Sequence, residues 1–112
     1  MNFFTLISKT LGTLQRSNDP SFDFYSRSYL HSAICNLLQE EKELNFERVV
    51  EGIPKKVGSR SAILVVLSDG LSKGYFLKVG SEIDKRLRIY KLSEQFNSDL
   101  TKTFRETIEK VL

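Results

Sequence analysis

Between Ser59 and Ser93 the chain reads SRSAILVVLSDGLSKGYFLKVGSEIDKRLRIYKLS, and few folds accommodate that order of signals. Ser59 or Ser61 can cap a helix by accepting a hydrogen bond from a free N–H of its first turn, and Gly74 stands where such a helix would stop. Ala62 to Leu67 is apolar throughout and, taken alone, suits a buried strand as well as a helix. The serines before it and the glycine after it select a helix of about four turns, with Ile63, Leu64, Leu67 and Leu71 toward the core. Tyr75 to Val79 and Arg86 to Leu92 are rich in aromatic and β-branched residues, and Gly80 to Asp84 lies between them. That pattern predicts a hairpin with a longer-than-minimal loop.

The rest of the chain reads as helix. Phe3, Phe4, Ile7, Leu11 and Leu14 recur at helical spacing, followed by the turn cluster Ser17-Asn18-Asp19-Pro20-Ser21. Phe22, Tyr29, Leu30, Ala33, Ile34, Leu37 and Leu38 mark a longer amphipathic helix that fades into the charged run Gln39 to Glu43. There the carboxylates of Glu40, Glu41 and Glu43 read as a solvated helix end. Asn45 caps a short helix whose apolar face is Phe46, Val49 and Val50, closed by Gly52 and Pro54. Phe96, Leu100, Phe104 and Ile108 form a narrow stripe on a terminal helix. The expected order is α-α-α-α-β-β-α, a mainly α (α+β) chain.

At 112 residues this is one domain, with a core of modest size. Within residues 1–112 the reading places an N-terminal helix at 1–16, the central unit at 45–92 and a C-terminal helix at 94–112. No apolar run approaches the roughly 18 to 20 residues that span a membrane. The first residues lack the basic start and small-residue cleavage site of a signal peptide, so a cytoplasmic setting is expected. One cysteine and one histidine are too few for a metal cluster, and no cofactor is expected. His31 and Cys35 stand four apart within an apolar pattern, which fits a buried cysteine and a half-buried histidine better than a nucleophile and its base. With no phosphate-binding glycine loop either, an enzyme is not expected.

Charge is distributed unevenly. Residues 54–92 hold nine Lys or Arg against three Asp or Glu, whereas both flanks are slightly acidic, in a chain of net charge +3. A basic patch confined to one substructure is the footprint of phosphate contact. The helices at 45–52 and 59–73, joined by a tight turn with glycine, form a helix-turn-helix, and the hairpin after them makes it a winged one. The second helix of such a unit presents its N-terminal residues to base edges; here these are Ser59, Arg60 and Ser61. Lys55 and Lys56 in the turn suit phosphates. Arg86 at the wing suits the narrow, negatively charged minor groove, with Lys85 and Arg88 on phosphates and Asp84 shaping the turn. The plainer alternative makes the serines helix caps and the wing charges a guard against edge-to-edge pairing.

These residues resemble the MarR family of winged-helix transcriptional regulators over roughly residues 45–96. The family's wing is marked by an Asp-x-Arg turn that closes on a Leu-Thr or Leu-Ser step, and Asp84, Arg86, Leu92 and Ser93 stand at those positions. Gly74 matches the glycine that ends the family's recognition helix. Gly70 departs from it, standing where the family has leucine, and Val65 and Val66 replace residues that are often polar. The resemblance implies a regulator that binds double-stranded DNA sequence-specifically, recognition helix in the major groove and wing in the minor groove. It further implies a homodimer through the terminal helices, for which Phe3, Phe4, Ile7, Leu100, Phe104 and Ile108 are the candidates. The same stripes could instead pack on Phe22 to Leu38 within one chain. The competing function is a winged-helix module that binds an acidic protein without reading DNA.

Overall fold

The computed structural model describes residues 2–15 and 19–111. Of the residues read above, Ser17, Asn18 and the side chain of Leu14 lie outside that set. The elements are α1 (Phe3–Gln15), α2 (Pro20–Tyr25), α3 (Tyr29–Glu40), α4 (Phe46–Gly52), α5 (Arg60–Ser72), β1 (Phe76–Gly80), β2 (Arg88–Leu92) and α6 (Glu94–Val111). Helices α2 to α5 each begin on a side chain that accepts from a first-turn N–H: Asp19 from Ser21, Ser28 from His31, Asn45 from Arg48 and Ser59 from Ala62.

One helix expected after the turn cluster is two. The chain breaks between Tyr25 and Tyr29 because Ser28 restarts the helix as an N-cap, 3.1 Å from the His31 N–H, while the Ser32 hydroxyl donates back to the Tyr25 carbonyl at 2.8 Å. Both serines offer the backbone an alternative to continuous helix. The break lets α2 and α3 bury residues in different directions, Phe22 and Phe24 from one and Leu30, Ile34, Cys35 and Leu38 from the other.

Strands β1 and β2 pair antiparallel with Phe76 opposite Leu92 and Val79 opposite Ile89. Leu44, just before α4, adds a single bridge to Tyr90, whose N–H donates to the Leu44 carbonyl at 2.8 Å. The ribbon is thereby tied to the α3–α4 connection. At the centre of the core Phe24 meets Tyr75, Phe76 and Phe96 edge-on, with ring centroids 5.1, 5.6 and 5.9 Å away. Edge-on rings place a positive rim against a negative face, which adds to the gain from burying their area.

Gly70 explains its own departure from the family pattern. A Cβ there would lie 2.2 Å from Cδ2 of Phe76, so any side chain would displace that ring from the core. Helix α5 stays regular through Ser72, and Gly74 then takes φ +77°, a left-handed turn suited to glycine.

The terminal helices behave differently from each other. Phe96 and Leu100 of α6 are buried in the core of the single chain, and Phe104 is half-buried against Phe22 and Tyr25. Expected as a dimer contact, Leu100 is instead a core residue, because α6 lays its stripe over α2. Helix α1 touches α6 but leaves Phe3, Phe4, Ile7 and Leu11 exposed, as is Ile108. No helix among the described residues is long and apolar enough to cross a membrane.

Candidate nucleic-acid interface

Helices α4 and α5 and the turn between them form the helix-turn-helix. Ile53 is buried at the start of the turn, and the Val57 N–H closes on the Pro54 carbonyl at 2.9 Å, which leaves Lys55 and Lys56 exposed on its outside. Helix α5 is held by Ile63, Val66, Leu67 and Gly70, all buried. Val66 is therefore a core residue, and only Val65 of the pair faces out, 67% exposed.

The sequence-derived contacts at the start of α5 differ in availability. Ser59 uses its hydroxyl as the cap, accepting from the Ala62 N–H at 3.1 Å, while Ser61 is exposed. Arg60 lies over the Phe46 ring, its guanidinium carbon 4.9 Å from the centroid, and binds both carboxylate oxygens of Glu47, Nη1 to Oε2 at 2.9 Å. The hydrogen bonds from Arg60 hold the Glu47 carboxyl below the usual carboxylate range and raise the guanidinium in turn. The pair is exposed on both sides, so a phosphate or a guanine edge can compete for the guanidinium.

The wing loop, residues 81–87, is built from polar groups. The Ser81 N–H donates to the Leu87 carbonyl, and the Leu87 N–H to the Asp84 carbonyl, each at 2.9 Å. Asp84 accepts from the Arg86 N–H at 3.0 Å and from Arg86 Nε at 3.2 Å, so it shapes the turn and aims the arginine together. These bonds, the side-chain one first, hold the Asp84 carboxyl below its ordinary value. Lys85, Arg86 and Arg88 are exposed.

Beneath that turn lie two residues that the sequence reading did not assign to the site. The buried Ser81 hydroxyl donates to a Glu43 carboxylate oxygen and accepts from the N–H groups of Ile83, at 3.0 Å, and Asp84, at 3.2 Å. A hydroxyl has one donor and two acceptor sites, and all are used. The other Glu43 oxygen accepts from the Glu82 N–H at 3.3 Å. Glu43 has φ 61°, the one positive φ at a non-glycine among the described residues, a conformation that costs about 1–3 kcal/mol. Its carboxylate is therefore part of the wing and not of a solvated helix end. A chain of contacts runs from Glu43 through Ser81 and Asp84 to Arg86. The only hint in the sequence was a lone serine after Gly80; the partner stands 38 residues away.

Other candidate chemistry is weak. The Cys35 thiol is buried and pushed up to about 12 by desolvation, which keeps it protonated and unreactive at neutral pH. The His31 ring engages Ser28 Oγ at 2.7 Å and lies edge-on to Phe24, and its pKa is lowered chiefly by burial. Among the described residues no group of three or more His, Cys, Asp or Glu could hold a metal ion. A groove of about 580 Å³ between α3 and α6 is lined by Cys35, Leu100, Phe104 and Ile108, with Asn36 and Arg105 among its polar residues.

No family model matches the chain, and no curated protein does. Solved structures do. The crystal structure of the heme sensor protein PefR with heme and carbon monoxide superposes with TM-score 0.51 at 18% identity, covering 98% of this chain and 76% of that one. Heme-free PefR gives TM-score 0.49 at 16% identity, over 96% and 94% of the two chains. PefR is a MarR-family regulator, and the likeness to its heme-bound form is one of fold. Helices followed by a two-stranded wing and a closing helix make this chain a winged-helix protein, the architecture implied by the wing residues Asp84, Arg86, Leu92 and Ser93.

Proposed function

We propose that this chain is a transcriptional regulator that binds double-stranded DNA sequence-specifically, with α5 in the major groove, the wing at the minor groove, and two copies acting as a homodimer. The observation that carries the reading is the wing. Arg86 is fully presented to solvent, 91% exposed, yet oriented by Asp84, and it stands beside Lys85 and Arg88 in the basic segment 54–92. Two of that segment's acids are already engaged, Asp84 by Arg86 and Asp69 by Lys73 at 3.1 Å and Arg27 at 3.4 Å, which leaves little to repel a phosphate backbone. In this reading Lys55, Lys56, Lys85 and Arg88 contact phosphates, and Ser59, Arg60 and Ser61 lie against base edges, Arg60 by exchanging Glu47 for DNA.

The dimer is supported by the exposed row Phe3, Phe4, Ile7 and Leu11, with Ile108 exposed on α6. Apolar rows of this kind mark interaction surfaces. Heme, named with PefR, is not extended to this chain. Its one histidine, His31, is absent from the lining of the α3–α6 groove, and the cysteine that does line it is buried and protonated.

Fluorescence anisotropy with labelled duplex DNA, titrated in salt, tests the function. With about four to eight phosphates neutralised, log affinity should fall with log salt at a slope of roughly −4 to −7. Absence of duplex binding even at low salt overturns the reading. Replacing Phe4 and Ile7 together by serine should leave the fold intact and lower the sedimentation coefficient; an unchanged coefficient removes α1 from the interface.

A further inference from the structure

Between Arg60 on one flank and Asp69 on the other, the outermost strip of α5 carries no charge. Ser61, Leu64, Val65, Ser68 and Ser72 are all exposed and, at spacings of three and four, share one face of the helix, opposite the buried Ile63, Val66, Leu67 and Gly70. Leu64 is 48% and Val65 67% exposed, and neither belongs to the core. A free helix surface is usually lined with charged residues, and valine there gives up side-chain freedom with nothing gained inside the chain. The cations instead stand at the ends of the unit, Lys55, Lys56 and Arg60 before this face and the wing residues beyond it. An apolar centre bracketed by cations suits a polyanion whose surface is apolar only in places. Duplex DNA has that surface in the major groove, where thymine alone presents a methyl group.

We infer that Leu64 and Val65 read thymine methyl groups, so that the site bound by this protein has thymines beneath the second turn of α5. The inference rests on the reading of α5 as a major-groove helix and adds to it the class of base recognised. Ser59 and Arg60 stand at the very start of α5, so its middle has only the hydroxyls of Ser61 and Ser68 for hydrogen bonding to bases. Apolar contact is then the larger source of discrimination on this face. Both side chains lie in the first half of the helix, the part that a recognition helix inserts.

The test begins by enriching a randomised duplex pool on the full-length protein. The bound duplex is then remade with deoxyuridine in place of thymine, which removes the methyl and keeps every hydrogen-bonding group. Each methyl contacted by Leu64 or Val65 should cost about three- to fivefold in affinity when removed. The variant Leu64→Ala/Val65→Ala, changed only on the surface, should keep its fold and bind thymine and deoxyuridine duplexes equally. Enriched duplexes without recurrent thymine, or an unchanged affinity for the deoxyuridine duplex, overturn the inference while leaving duplex binding in place. Failure to retain any duplex at low salt overturns the DNA reading itself. If the double variant loses self-association and keeps its preference for thymine, the face is a protein contact and the inference fails.

Discussion

Helix α5 and the wing are adjacent halves of one unit, yet they are held by opposite means. Helix α5 is fixed from beneath by Ile63, Val66 and Leu67 and by the Phe76 ring pressed onto Gly70; its polar groups are incidental to its position. The wing loop has almost no apolar support. Ile83 is 86% exposed and Leu87 48%, and the loop's shape depends on Ser81, Asp84 and the carboxylate of Glu43. Apolar burial is non-directional and cooperative, so α5 stands or falls with the whole fold. Hydrogen bonds are directional and individually modest, so the wing can lose its aim while the fold survives.

The largest expected effect lies on the α5 side. Leu67→Ala should destabilise by about 2–5 kcal/mol in chemical denaturation, with the hairpin melting in the same transition. A separate, later transition for the hairpin would break the contrast. Ser81→Ala comes next: two N–H groups lose their acceptor and Glu43 its donor, for a loss of about 1–2 kcal/mol. Amide exchange should then accelerate at Ile83 and Asp84 and remain slow at Leu67. Equal acceleration in both places would show that the wing is not separately held.

Arg86→Ala should leave denaturation unchanged and weaken duplex binding by about tenfold, the scale of one good minor-groove or phosphate contact. The smallest effect is that of pH. Because Arg86 depresses the Asp84 pKa, the order contributed by Asp84 is complete above the ordinary carboxylate value of about 3.9 and is lost as pH falls through the lower folded value. The Arg86 Nε resonance should therefore hold steady from neutral pH down to about 4 and shift only below it. A shift centred between pH 5 and 7 would mean that Asp84 does not hold Arg86.

What could be read before the structure follows the same division. The start and stop of α5, the short helix after Asn45 and the hairpin were legible because serine, asparagine and glycine act on the backbone within a few residues. The Asp84–Arg86 turn is local in the same sense. The break at Ser26 to Ser28 was missed because the apolar spacing continues across it and only the Ser28 cap and the Ser32 bond interrupt the backbone. Glu43 was assigned to solvent because its neighbours are charged, and its true partner lies across the fold.

By itself, then, the sequence determined which backbone forms where, the break before Ser28 excepted, and that positive charge gathers between residues 54 and 92, since both follow from short-range chemistry and composition. Tertiary structure alone decided which apolar faces are used. It took Leu100 and Val66 into the core and left Phe4, Leu64 and Val65 outside. It also made Gly70 the seat of Phe76 and Glu43 the anchor of the wing. A periodic pattern specifies that a face prefers burial but not what will cover it, and that choice depends on how the helices fit around one set of rings.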